Sequence, residues 1–156
     1  MQAEADLRDS PSGWFDGRCH VFPAWVYYED TDAAGIVYYA NYLKFAERAR
    51  TEMMRCLGTE HRSLMRDAGI AFAVRSCSAE YLAPARLDDR LVVRTRIREL
   101  RGASMRAEQI VARRDKDGSE TALVELEIRL ACMDGDLRPA RLPAPVRSSL
   151  GALVEK

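Results

Sequence analysis

An α+β domain, with one long helix laid against an antiparallel sheet, is the fold class this sequence predicts. Three observations carry it: one stretch of apolar residues at helical spacing, an apolar and aromatic run ahead of it, and four later stretches at period two. A sheet of about five antiparallel strands cannot bury a face unaided, so the long helix has to cover it.

Taken in order, residues 1–17 hold Ser10, Pro11, Ser12 and Gly13 without a sustained period, and read as a loose leader. Val21 to Tyr28 reads as a strand, with Pro23 near its start as suits an edge. Glu29 to Gly35 breaks the run with acids and a glycine, which makes a loop. From about Tyr39 to Leu57 the residues Tyr42, Ala46, Ala49, Met53 and Leu57 recur at helical spacing, and Gly58 stands where a left-handed cap would end the helix. Thr59 is a candidate cap for a second helix over about 60–68, closed by Gly69. Ile70–Leu82, Arg90–Leu100, Ser104–Arg114 and Ser119–Cys132 read as four strands in meander-like succession, the last alternating most cleanly. Pro139, Pro143 and Pro145 mark a surface segment with one helical turn near Val146 to Leu150. The domain is expected over 18–150, with 151–156 a tail.

At 156 residues the chain suits one domain, and 47% hydrophobic residues are enough for a packed core without staples. Its 24 basic and 24 acidic residues leave no net field to draw it to nucleic acid or acidic lipid. Cys19, Cys56, Cys77 and Cys132 form no Cys-x-x-Cys pair, which points to free thiols and no zinc site. No apolar run is long enough to span a bilayer, and residues 1–17 read as neither secretory signal nor anchor, so a cytoplasmic protein is expected.

Unusual residues concentrate just before the long helix: Val26-Tyr27-Tyr28-Glu29-Asp30-Thr31-Asp32-Ala33-Ala34-Gly35-Ile36-Val37-Tyr38-Tyr39-Ala40-Asn41-Tyr42-Leu43. A helix N-terminus offers unpaired N–H groups and partial positive charge, and so favours either a capping carboxylate or a developing oxyanion. By themselves the residues leave both readings open.

This segment, followed by Glu47-Arg48-Ala49-Arg50-Thr51-Glu52, resembles the signature of the 4-hydroxybenzoyl-CoA thioesterase family of hotdog-fold proteins, and within it the Tol-Pal-associated acyl-CoA thioesterase branch. Glu80-Tyr81-Leu82-Ala83-Pro84-Ala85-Arg86-Leu87-Asp88-Asp89 resembles the family's second block, a Pro-Ala turn between two strands. The resemblance implies a curved antiparallel sheet wrapped round a central helix, in homodimers or homotetramers. It implies hydrolysis of a short-chain or aromatic acyl-CoA, with Asp32 as the catalytic carboxylate and the backbone N–H of Tyr39 aimed at the thioester carbonyl. Gly35, Ile36 and Val37 would then line the substrate. Direct attack by Asp32 and general-base activation of water both remain open. Many members of the branch carry His where this chain has Tyr39; a backbone role survives that change, a role for an imidazole does not.

Asn41 stands where it can orient the loop or the substrate, or cap the helix. Arg86, Arg94 and Arg96 are candidates for the phosphates of CoA, although the row Arg94, Arg96 and Arg98 also suits a solvated or inter-subunit face paired with acids. His20 and His61 lie outside the acidic loop, which disfavours a metal site and a hotdog dehydratase. No nucleotide motif is present, so no cofactor is expected and CoA enters as substrate. A different class of function stays open: a non-catalytic module of the Tol-Pal or lipid-synthesis machinery, or one that docks acyl carrier protein.

Overall fold

The computed structural model describes residues 10–155. The described residues begin with two strands, β1 (Trp14–Asp16) and β2 (Cys19–Trp25), and a single 3-10 turn follows at Tyr28–Asp30. Then come α1 (Asn41–Cys56), α2 (His61–Ala68), β3 (Ala71–Tyr81), β4 (Arg90–Leu100), β5 (Ser104–Arg114), β6 (Glu120–Met133) and α3 (Ala144–Gly151). The strands make one antiparallel sheet in the order β1-β2-β4-β5-β6-β3.

Only β4, β5 and β6 form a meander. Strand β3 lies at the far edge beside β6, because α1 and α2 carry the chain across the sheet before β3 begins. Residues 82–89 then return across one end of the sheet. The sixth strand is β1, in the stretch expected to be a loose leader; the remaining leader, residues 1–9, lies outside the described residues. Three residues show no period, but Trp14 packs over Cys19, Val21, Val92 and Ala112, an apolar cluster separate from the main core. The expected tail is likewise docked. Val154 bridges Ile97, and the Glu155 N–H donates to the Ile97 carbonyl at 3.1 Å.

The main core lies between α1 and the sheet. Tyr42, Phe45, Ala46, Ala49 and Met53 bury the stripe the sequence showed, against Leu91, Val93, Ile97, Val111, Leu126 and Ile128. Helix α1 packs on β2, β4 and β5. A buried polar group fixes it there: Gln109 Nε2 donates to the Ala46 carbonyl (3.0 Å) and to Thr95 Oγ1 (2.9 Å), while Arg50 donates to Gln109 Oε1 (2.9 Å). Each polar end of that amide has a partner, so the burial carries no desolvation debt.

His20 is fully buried beneath the Phe15 ring, its Nε2 2.9 Å from the Ser12 carbonyl and its Nδ1 without a partner. That contact makes Nε2 the protonated nitrogen. Burial pushes the imidazole pKa down from 6.5 to about 4, against smaller upward pulls from Ser12 and Glu52. The unfolded chain therefore binds the extra proton between those values. The contribution is full above pH 6.5 and is lost as pH falls toward 4, up to roughly 3 kcal/mol. Urea melts of the native protein are expected to show this loss, and melts of His20→Gln to show a flatter profile over the same window. Leu126→Ala is expected to cost about 2 to 5 kcal/mol at neutral pH, measured the same way.

Candidate functional site

The acidic segment folds into a tight hairpin ahead of α1. The Asp32 N–H donates to the Ile36 carbonyl (2.9 Å), the Gly35 N–H to the Asp32 carbonyl (3.0 Å), and Thr31 bridges Val37. Gly35 sits at φ +77°, which a side chain would strain. The returning segment braces this hairpin from below: the Val37 N–H donates to the Ala85 carbonyl (2.9 Å), and Ile36 bridges Arg86. The Ala85 N–H in turn donates to the hydroxyl of Tyr42, in the first turn of α1. The two sequence blocks are thus one structural unit.

The three acids part company here. Asp30 is buried; its Oδ2 accepts the Tyr27 N–H at 2.8 Å, and its carbonyl accepts the Tyr38 N–H (3.0 Å) and Asn41 Nδ2 (2.9 Å). It holds the hairpin to the helix. Asn41 is committed to the same task, and Val37 is a core side chain, 2% exposed. Asp32 is exposed, with only Oδ1 engaged, by the Ala34 N–H at 2.9 Å. It opens onto a shallow depression of about 460 Å³ lined by Tyr28, Thr31, Asp32, Ala33, Gly35 and Leu87. Glu29 is exposed beside it.

At the helix start the Tyr39 N–H donates to no acceptor among the described residues, which leaves it open to a ligand. The Tyr39 carbonyl accepts the hydroxyl of Tyr81 at 3.0 Å. Rings follow one another from Tyr38 to Tyr39 (4.9 Å between centroids), Tyr39 to Tyr81 (6.3 Å), and Tyr81 to Tyr42 (5.8 Å). Tyr38, Tyr39 and Tyr81 are 46%, 62% and 47% exposed, an aromatic rim rather than core. The Tyr39 hydroxyl holds the Tyr38 phenol pKa above its ordinary value, and the negative charge of Asp32 adds to that. Tyr81 lies in the second sequence block, yet nothing in that pattern marks a ring that reaches the helix start.

The candidate arginines separate. Arg94 grips both oxygens of Glu120 at 2.8 Å, and Arg96 meets Glu155 at 2.9 Å, which Arg98 shares at 3.0 Å. Both belong to the register opposite Val93, Thr95 and Ile97, on the sheet face turned away from α1. Arg94 also reaches Asp16 at 3.5 Å. Arg86 lies beside the hairpin, exposed, with no carboxylate in ion-pair range among the described residues. No group of His, Cys, Asp and Glu that could hold a metal occurs among the described residues, and no described helix is long and apolar enough to cross a membrane.

A model of the thioesterase-like superfamily matches residues 26–150. An acyl-CoA thioester hydrolase of Escherichia coli is 43% identical over 126 residues, covering 80% of this chain and 90% of that protein. An acyl-CoA thioesterase of Haemophilus influenzae is 40% identical over 129 residues, covering 82% and 91%. The 4-hydroxybenzoyl-CoA thioesterase of a Pseudomonas species superposes with a TM-score of 0.77 at 26% identity, covering 85% of this chain and 99% of that one. A probable thioesterase from Bartonella henselae does so at 0.73 and 35%, covering 80% and 99%.

The division between the acids has a measurable consequence. Asp30→Ala leaves the part-buried Tyr27 N–H without its acceptor and is expected to cost about 1 to 3 kcal/mol. Asp32→Ala, at an exposed position, is expected to stay within about 1 kcal/mol of the native protein. Chemical denaturation of the two variants side by side makes the comparison.

Proposed function

The chain belongs to the thioesterase-like superfamily and is an acyl-CoA thioester hydrolase, and we propose that Asp32 and the backbone N–H of Tyr39 carry its reaction. The observation that supports this reading is an exposed, sparsely bonded carboxylate on the hairpin together with the unclaimed Tyr39 amide at the start of α1. Thioester cleavage needs those two functions. One group must attack the carbonyl carbon or activate the water that does, and a donor must stabilise the oxygen that becomes negative.

The thioester carbonyl oxygen accepts the Tyr39 N–H, reinforced by the positive end of α1. A single well-placed donor of this kind contributes about 3 kcal/mol to the transition state. Asp32 then acts in one of two ways. As nucleophile it forms a mixed anhydride and expels the CoA thiolate, and water later cleaves the anhydride. As general base it takes a proton from the attacking water. Either route yields the free acid and CoA thiol.

Short-chain or aromatic acyl groups fit against the exposed rings of Tyr38, Tyr39 and Tyr81. Gly35 and Ile36 hold the loop that brackets the substrate, and Arg86 is the candidate for the CoA phosphates. Arg94 and Arg96 are assigned to the sheet's outer face instead. Assembly as a homodimer or homotetramer is supported by β3, whose outer edge pairs with no strand among the described residues.

Asp32→Asn is expected to lower thiol release from acyl-CoA by at least a thousandfold while leaving fold and assembly intact, since an amide neither attacks nor takes a proton. An Asp32→Asn protein as active as the native one would remove Asp32 from the reaction. Label in the Asp32 carboxyl after a single turnover in ¹⁸O-labelled water would establish the anhydride route, with water attacking the aspartyl carbon, because general-base catalysis labels the product acid alone.

A further inference from the structure

Two peptide planes meet at the Tyr39 Cα, and together they set the direction of the Tyr39 N–H. In the first, between Tyr38 and Tyr39, the Tyr38 carbonyl accepts the Asn41 N–H at 2.8 Å. A trans peptide points its carbonyl and its N–H in opposite directions, so a carbonyl turned toward α1 sends the Tyr39 N–H away from the helix. In the second plane, between Tyr39 and Ala40, the carbonyl stands outside the helical ladder. Leu43, whose N–H would close the first turn onto Tyr39, donates to the Ala40 carbonyl instead, at 3.2 Å. The Tyr39 carbonyl accepts the hydroxyl of Tyr81 at 3.0 Å.

Tyr81 is well placed to hold that peptide still. It ends β3 opposite Val124, and the N–H groups of Leu82 and Ala83 both donate to the Leu123 carbonyl (2.8 and 3.2 Å), so its backbone is fixed to β6. Its ring packs edge-on against the buried Tyr42 at 5.8 Å between centroids and against Tyr39 at 6.3 Å. These contacts leave the hydroxyl little freedom before any substrate arrives. Burial raises the Tyr81 phenol above its ordinary pKa, with Cys77 and Tyr39 adding to the rise, so the hydroxyl stays a donor throughout the neutral range. The ring itself is 47% exposed, and the core gains little from it.

We infer that Tyr81 is a positioning residue for thioester cleavage: its hydroxyl fixes the peptide between Tyr39 and Ala40 and so keeps the Tyr39 N–H on the oxygen that becomes negative. The inference rests on the reading in which that N–H is the oxyanion donor. The hydroxyl acts through the backbone, without touching the reacting carbonyl. Its loss frees rotation about the bonds at the Tyr39 Cα. A donor that swings off line weakens its bond to the oxyanion more than its bond to the neutral carbonyl, because the charge-assisted bond is the stronger and the shorter of the two. The loss therefore falls on kcat and spares KM.

Tyr81→Phe tests this, since it removes the hydroxyl and keeps the ring against Tyr39 and Tyr42. With an acyl-CoA that the native protein hydrolyses, kcat is expected to fall by about tenfold or more, with KM within about threefold and the urea midpoint unchanged. An unchanged kcat, or a loss carried by KM, would overturn the inference. Infrared difference spectra read the same contact without turnover. An acyl-CoA labelled with ¹³C at the thioester carbonyl and bound to Asp32→Asn protein is expected to show its carbonyl band at lower frequency than in an aprotic solvent. Adding Tyr81→Phe in that background is expected to reverse a large part of the shift. An equal shift in both proteins would overturn the role of Tyr81 and leave the Tyr39 reading standing. No shift in Asp32→Asn protein would remove the Tyr39 amide from the reaction, and the inference with it.

Discussion

The width of a helix against the width of a sheet governs this molecule. An α-helix with its side chains is about 10 Å across and strands lie about 4.8 Å apart, so one helix covers two to three strands and no more. Helix α1 covers β2, β4 and β5 and is locked there through Gln109. The sheet has six strands. Part of its inner face therefore stays open along β3, and α2 roofs only the start of that strand. The uncovered strip runs from Val74 to Tyr81, whose hydroxyl reaches the Tyr39 carbonyl at the start of α1.

The position of that start is equally constrained. Because β3 is formed at the far edge, the chain must cross the end of the sheet to begin β4, and residues 82–89 make that crossing. They supply the Ala85 carbonyl to Val37 and the Ala85 N–H to Tyr42, so the acidic hairpin and the first turn of α1 are fixed by one segment. Asp30 closes the unit from inside. What remains outside is Asp32, exposed on the braced hairpin.

Much of this was legible in the residues. Helical spacing located α1, and period two located β4 to β6, because each buries one face and leaves the other wet; β3 keeps the alternation although its inner face is largely open. The neighbour order was not legible. Periodicity says which side of a strand is buried but not which strand lies beside it, so the meander was extended one strand too far. The first strand has three residues and no pattern; only the apolar cluster under Trp14 explains it. Among the site residues the sequence named Asp32 and Tyr39 through resemblance, while the different duties of Asp30 and Asp32 depend on burial. The arginine row read equally well as a phosphate site and as an ion-paired face, and Glu120 and Glu155 take up Arg94 and Arg96 from distant parts of the chain.

The proposed reaction requires the thioester carbonyl at the Tyr39 amide with Asp32 beside it. A crystal structure with a ketone analogue of dodecanoyl-CoA, in which a methylene replaces the sulfur and keeps the carbonyl, tests that most directly. The expected result is the carbonyl oxygen about 2.7 to 3.1 Å from the Tyr39 nitrogen and the Asp32 carboxylate facing the carbonyl carbon. A carbonyl bound elsewhere, with Tyr39 N–H and Asp32 both untouched, would contradict it.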